Sequence, residues 1–114
     1  MKFREINDYI NDLIESCEDI LTFTENMSYA DFSSDKKTVL AVIRCLEVIG
    51  EATKKIPPSL RLKHPTIPWR QMAGMRDKLI HEYFGVDIHM VWEVVKNHIP
   101  QIFPLIKSIS VKYE

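Results

Sequence analysis

The 114-residue chain has the length of one domain, and its 46% hydrophobic and 27% charged residues are ordinary for a globular protein, which argues against disorder. Its 3 glycines disfavour a turn-rich all-β fold and a glycine-rich phosphate loop. The 2 cysteines form no CxxC pair, so neither a disulfide framework nor structural zinc has support. We therefore expect a single domain over 1–114 in a reducing compartment.

The net charge of −1 hides an uneven distribution. Residues 1–35 contain 9 acidic and 2 basic residues, whereas residues 36–114 contain 7 acidic and 13 basic residues. The second part of the chain can therefore present a basic face. The first residues lack a secretory segment, and no apolar run approaches the roughly 20 residues of a membrane span. We expect a cytoplasmic protein without a membrane partner.

The first predicted helix covers about residues 3–27, because apolar residues recur there at the three- and four-residue steps of one helical face. Ser33 or Ser34 is the predicted N-cap of a second helix, with Asp35 in its first turn. The proline pair at 57–58 ends that helix, since proline lacks the amide proton that a helix interior uses.

The segment 57–68 contains four of the 6 prolines, which predicts a stiff connector within one domain. Five basic residues and no acidic residue lie between positions 54 and 70. They are either solvated loop charge or a rim that attracts the phosphates of a nucleic acid. These residues are Lys54, Lys55, Arg61, Lys63 and Arg70.

Two more helices complete the predicted fold. Pro68 is suited to open the third helix, and Gly85 is suited to end it. Asp87 is the predicted cap of the fourth helix, which Pro100 and Pro104 should kink. No strand-like alternation is present. The prediction is an all-α bundle of four main helices with the last one bent.

The predicted third helix carries the residues that are best suited to chemistry. The Arg76 guanidinium matches phosphate oxygens, and the His81 imidazole can exchange protons near neutral pH. Asp77 lies four residues before His81, so its carboxylate can orient the imidazole. Arg76 and His81 are about 140° apart around a helix, so a long arginine reach or a partner subunit must complete the site. In the plain alternative, His81 and Tyr83 are ordinary surface residues.

A metal site is not predicted. No histidine follows a glutamate by three residues, and the segment from His81 departs from HExxH because Gly85 takes the place of the second histidine. His64, His89 and His98 are predicted to be surface or cap residues. The cysteines lie at apolar helical positions, which indicates buried thiols. We expect no cofactor.

The spacing Arg76-x4-His81-x-Tyr83 resembles the RX4HXY motif of the HepT-like branch of HEPN domains. The likeness extends to residues 43–57, to 69–77 and to the segment from Tyr83 to Trp92, and so covers nearly the whole chain. It implies a HEPN-type bundle and a metal-independent endoribonuclease with Arg76 and His81 catalytic.

The same resemblance implies a biological setting. HepT-like proteins are toxins of type VII-like toxin–antitoxin pairs, commonly homodimers with two motifs facing one cleft. The antitoxin is a small MNT-type nucleotidyltransferase that transfers AMP to the motif tyrosine, here Tyr83. A second hypothesis remains open: the chain is a non-catalytic helical partner or substrate-recognition subunit of a nucleotidyltransferase.

Overall fold

The computed structural model describes residues 5–75, residue 77 and residues 87–112, with side chains described as far as Ile109. Every element within these ranges is helical, and no strand occurs among them. The predicted all-α class is therefore confirmed. None of the described helices is long and apolar enough to cross a membrane.

Helix α1, Ile6–Phe23, is shorter than the predicted 3–27. Glu5 is its N-cap, and its apolar stripe is buried against the rest of the bundle. The C-cap of the helix is Thr24, whose hydroxyl donates to the Ile20 carbonyl at 2.8 Å, and Asn26 just beyond it adopts a left-handed backbone with φ of 63°. Asparagine tolerates that conformation better than most residues.

Helix α2, Tyr29–Ser34, was missed by the sequence patterns. The Asp31 amide donates to the Ser28 hydroxyl at 3.1 Å, and the Ser28 amide donates to the Asp31 carboxylate at 3.0 Å. This reciprocal capping box starts the short helix. Ser33 and Ser34 therefore lie inside α2, and the prediction that one of them caps the next helix is wrong.

Helix α3, Lys36–Lys54, is the central element, and it packs against α1 and α2. Its N-cap is Asp35, whose carboxylate accepts from the Thr38 amide at 3.1 Å and from the Thr38 hydroxyl at 2.7 Å. These bonds lower the pKa of Asp35. Its inward residues are buried, and Leu46 and Ile49 among them are fully so.

The connector after α3 is partly helical. Helix α4, Pro58–Lys63, begins at a proline, which suits a first turn, and buries Leu60. Helix α5, Trp69–Ala73, packs against α3 and buries Trp69 and Met72. Pro68 precedes it as the N-cap, and Gly74 is its C-cap, so the predicted continuous helix from Pro68 is interrupted by a turn at Gly74.

The last part of the bundle is helical from Ile88 to Lys112. Helix α6, Ile88–Glu93, is capped as predicted by Asp87, whose carboxylate accepts from the Met90 amide at 3.2 Å. A π-helical segment, Val94–His98, joins it to helix α7, Ile99–Lys112, which packs along α1.

Pro100 explains part of the π-helical geometry, and Pro104 lies further along the same helix. Pro100 follows the π-helical segment and cannot donate an amide proton back to the preceding turn. A wider turn before it also relieves the contact between its ring and an earlier carbonyl. Pro104 lies inside α7, which continues beyond it. The described irregularity is the π-helical segment before Pro100, and the kink at Pro100 and Pro104 stays a prediction.

The core lies between α1, α3 and α7. Both cysteines are free and buried in it, as predicted. Burial, with Cys45 nearby, raises the pKa of the Cys17 thiol to about 12. Burial, with the Asp19 carboxylate next in effect, raises the pKa of Cys45 to about 11. Both thiols are therefore protonated and unreactive near neutral pH.

Candidate active-site region and basic rim

The predicted catalytic pair and the predicted modification site lie outside the described residues. Arg76, His81 and Tyr83 therefore stay predictions from sequence, as does the helix end at Gly85. Asp77 is the one member of this group that the structure describes. It is helical and exposed, three residues beyond the turn at Gly74.

Asp77 lies beside the carboxyl-terminal end of α3. Its Oδ1 is 4.0 Å from the Lys54 Nζ, and both side chains are about half exposed. Water therefore screens this ion pair, which limits its contribution to stability. The position of the pair matters more, because the contact places Lys54, the first residue of the proposed rim, beside the start of the motif.

Three further rim residues, Lys55, Lys63 and Arg70, are exposed. Lys55 is the C-cap of α3, Lys63 ends α4, and Arg70 lies in α5. The rim residues thus come from three successive helices.

Arg61 has a structural role that the sequence patterns missed. Its Nε donates to the Ile56 carbonyl at 3.1 Å, and its Nη2 donates to the Thr53 carbonyl at 2.6 Å. Carbonyls at a helix end lack intrahelical partners, and a cation there also meets the negative end of the helix dipole. Arg61 therefore holds α4 against the end of α3. The signal available in the sequence was the position of Arg61, a few residues after the proline pair that follows α3.

A cavity of about 700 Å³ opens between the 67–75 segment and the helix that begins after Asp87. Its apolar lining comes from both sides. The Trp69 ring is fixed there, since its Nε1 donates to the His64 carbonyl at 3.0 Å. The described apolar lining residues include Ile67, Trp69, Met75, Met90 and Val94.

Three polar side chains share this cavity: Arg70, Gln71 and His98. Arg70 and Gln71 are exposed, whereas His98 is half-buried. Val94 and His98, the first and last residues of the π-helical segment, both line the cavity. The sequence predicted a surface or cap role for His98 and no cavity, because a pocket between distant segments leaves no local pattern.

His64 and His89 fit the predicted surface or cap roles. His64 is the half-buried C-cap of α4. His89 is exposed, with its ring centroid 5.1 Å from that of Tyr29.

The described part of the chain is an all-α bundle in which Lys54 lies beside Asp77, the second residue of the Arg76-to-Tyr83 segment. Comparison with known proteins identifies the family of the chain. The family model described as "Ribonuclease HepT-like" matches residues 13–109. The chain belongs to the HepT-like ribonuclease family, as the motif indicated.

Curated relatives agree with this assignment. A candidate RNase of Methanocaldococcus jannaschii is 54% identical, with 100% of this chain and 98% of the relative covered. A protein of Thermococcus cleftensis named "Probable ribonuclease HepT" is also 54% identical, with 87% of this chain and 90% of the relative covered. A candidate RNase of Caldanaerobacter subterraneus is 41% identical, with 91% of this chain and 93% of the relative covered. No solved structure gives a significant match.

Proposed function

We propose that the protein is a metal-independent endoribonuclease toxin of a type VII-like HepT/MNT pair, with Arg76 and His81 as catalytic residues. The observation that carries the proposal is the match of residues 13–109 to a ribonuclease family in a chain that holds Arg76-x4-His81-x-Tyr83. The relatives named as RNases support the same activity.

The chemistry follows from what RNA cleavage requires. A base takes the proton of the ribose 2′-hydroxyl, an acid protonates the leaving 5′-oxygen, and a cation stabilises the charge on the phosphorus centre. One imidazole serves one proton role at a time. A homodimer supplies two copies of His81 for the two roles, while the two Arg76 guanidinium groups hold the phosphate.

Asp77 is proposed to orient His81, since a spacing of four residues would bring the two side chains together if the motif is read as a helix. The Lys54 ammonium beside Asp77 places a positive charge at the same end of α3. The exposed Lys55, Lys63 and Arg70 extend this charge over neighbouring helices. Such a rim attracts the RNA backbone and makes binding weaker at high salt. Arg61 contributes charge to this rim in addition to its structural role.

Neutralisation is proposed to act on Tyr83. An MNT-type nucleotidyltransferase antitoxin transfers AMP from a nucleoside triphosphate to the Tyr83 hydroxyl, forming a phosphodiester and releasing pyrophosphate. Seven residues separate Arg76 from Tyr83, a spacing that would place two side chains on one face of a helix. The added phosphate would therefore compete with RNA for Arg76 and repel the RNA backbone.

The central test compares His81→Ala with the wild-type chain in an RNA cleavage assay, and uses His89→Ala as the matched control. His89 is an exposed histidine outside the motif. We expect His81→Ala to lose cleavage and to relieve growth arrest while it keeps its thermal unfolding midpoint, and His89→Ala to cleave like the wild type. Full activity of His81→Ala would contradict the proposal. A wild-type chain that cleaves no RNA but binds the nucleotidyltransferase would favour the non-catalytic partner hypothesis.

A mass measurement tests the regulatory part. Co-expression with the neighbouring nucleotidyltransferase should add the mass of one or more AMP units to the peptide that contains Tyr83. Tyr83→Phe should remove the added mass and keep the toxicity. Modification of another residue would contradict the assignment of Tyr83.

A further inference from the structure

The cavity between the 67–75 segment and the last helix has no role in the cleavage chemistry proposed above. Its volume of about 700 Å³ lies within the roughly 300–1,000 Å³ of pockets that bind small organic molecules. Its walls are mostly apolar, with a small number of polar groups, which is the usual make-up of such pockets. The cavity is therefore built like a binding site.

The apolar lining suits a flat heteroaromatic ring. The Trp69 indole and the Met75 and Met90 side chains are among its walls. Apolar surface and thioether sulfur both make favourable contacts with an aromatic ring, and Met90, which is 41% exposed, offers the larger part of such a contact. Trp69 is held in place by its bond to the His64 carbonyl, so its contribution to this wall is fixed before a ligand binds.

The polar lining suits the rest of a nucleotide. The Gln71 amide both donates and accepts hydrogen bonds, as does a neutral His98 imidazole, and the edge of a nucleobase presents both kinds of group. Arg70 supplies a guanidinium, which pairs well with phosphate oxygens. Apolar walls, groups for a nucleobase edge and one phosphate-binding cation thus occur together.

The cavity adjoins the proposed catalytic residues along the chain. Gly74 and Met75 line it, and the next residue is Arg76. On the opposite side, the π-helical segment contributes both its first residue, Val94, and its last, His98. Single π-helical turns within helices occur frequently at functional sites.

We propose that this cavity binds one nucleobase of the RNA, next to the phosphodiester that is cut, and thereby sets the nucleotide preference of cleavage. Gln71 and His98 read the edge of the nucleobase, and Arg70 holds an adjoining phosphate. This inference rests on the proposed ribonuclease function and adds a substrate-selecting site to it.

The binding test uses the full chain with ¹³C-labelled methionine methyl groups, titrated separately with AMP, GMP, CMP and UMP. We expect one or two of these nucleotides to shift the Met75 and Met90 signals and to leave Met27, which packs elsewhere on the core, unchanged. Absence of a shift with all four nucleotides would overturn the proposal. Shifts of the Met75 and Met90 signals that depend on protein concentration and not on added nucleotide would also overturn the proposal. They would show that a second copy of the chain covers the cavity.

The selectivity test uses Gln71→Ala, with Gln101→Ala as the matched control. Both glutamines are exposed, and Gln101 lies in α7 away from the cavity lining. Loss of one hydrogen bond predicts about fivefold weaker binding of the preferred mononucleotide by Gln71→Ala. Mapping of cut sites in RNA should show a changed nucleotide preference for Gln71→Ala only. An unchanged preference would contradict the selecting role.

The two proposals fail in different ways. If His81→Ala still cleaves RNA while nucleotides shift the Met75 and Met90 signals, the catalytic assignment fails and the nucleotide site remains. If His81→Ala is inactive and no nucleotide shifts these signals, only the cavity proposal fails.

Discussion

Lys54 at the end of α3 and Asp77 beyond α5 form an ion pair across the connector, with 4.0 Å between Nζ and Oδ1. The connector between them holds four prolines and the short helices α4 and α5. The pair therefore links the long central helix to the segment in which the motif begins. An exposed pair of this kind contributes only about 0–1 kcal/mol to stability. Its expected effect is instead to hold the Lys54 charge beside the motif.

Lys54→Ala is expected to reduce RNA cleavage several-fold more than Lys55→Ala. Both variants remove one rim charge, but only Lys54 also contacts Asp77. The free energy of unfolding should change by less than about 1 kcal/mol in each. Cleavage rates at a series of salt concentrations, with thermal unfolding as the control, measure both effects. Equal losses in the two variants would show that the contact with Asp77 has no part in cleavage.

The sequence predicted the long helices better than their ends. The inward residues of α1 and α3 follow from helical periodicity, since burial of one face gives a repeat near 3.6 residues. The start of α3 was placed wrongly because Ser33, Ser34 and Asp35 are all good caps, and only the Ser28–Asp31 capping box decides between them. That box holds an aspartate at a position where glutamate is the usual signal.

The candidate site depends on a different kind of signal. Arg76, His81 and Tyr83 are proposed from their spacing and from family resemblance, and they stay predictions because they lie outside the described residues. The hydrogen bonds of Arg61 and the cavity beside Trp69 depend on how separate segments meet, so no local pattern encodes them. Pro100 predicts a kink in the last helix, but the local pattern does not predict the π-helical segment that lies before the proline.

Arg61→Ala is expected to lower the free energy of unfolding by about 2–3 kcal/mol. The substitution removes two charge-assisted hydrogen bonds and leaves the Thr53 and Ile56 carbonyls without this donor. Arg44→Ala is the matched control, because Arg44 is exposed and makes a 3.8 Å pair with Glu47. Urea unfolding followed by circular dichroism measures both. If Arg61→Ala keeps its stability and loses only RNA binding, Arg61 acts solely through the rim.

Leu46→Ala and Leu40→Ala test the core on a single helix. Leu46 is 0% exposed and Leu40 is 56% exposed, both within α3. Removing the buried side chain should cost about 2–5 kcal/mol through lost burial and the cavity left behind, whereas the exposed change should stay within about 0.5 kcal/mol. Chemical unfolding of the two variants gives the comparison. Similar losses would indicate that the outer face of α3 is covered, for example by a second copy of the chain.

The buried thiol of Cys17 makes stability depend on pH in the alkaline range. Its pKa is raised by burial from 9.0 to about 12 in the folded chain, so above about pH 9 the unfolded chain releases a proton that the folded chain retains. The stabilisation is complete below pH 9 and is lost as the pH rises towards 12, with a slope of at most about 1.4 kcal/mol per pH unit. Urea unfolding of wild type and Cys17→Ala from about pH 8, below both pKa values, to about pH 11, between them, isolates this slope from lysine and tyrosine titration. Parallel curves for the two proteins would show that Cys17 ionises as readily in the folded chain as in the unfolded one.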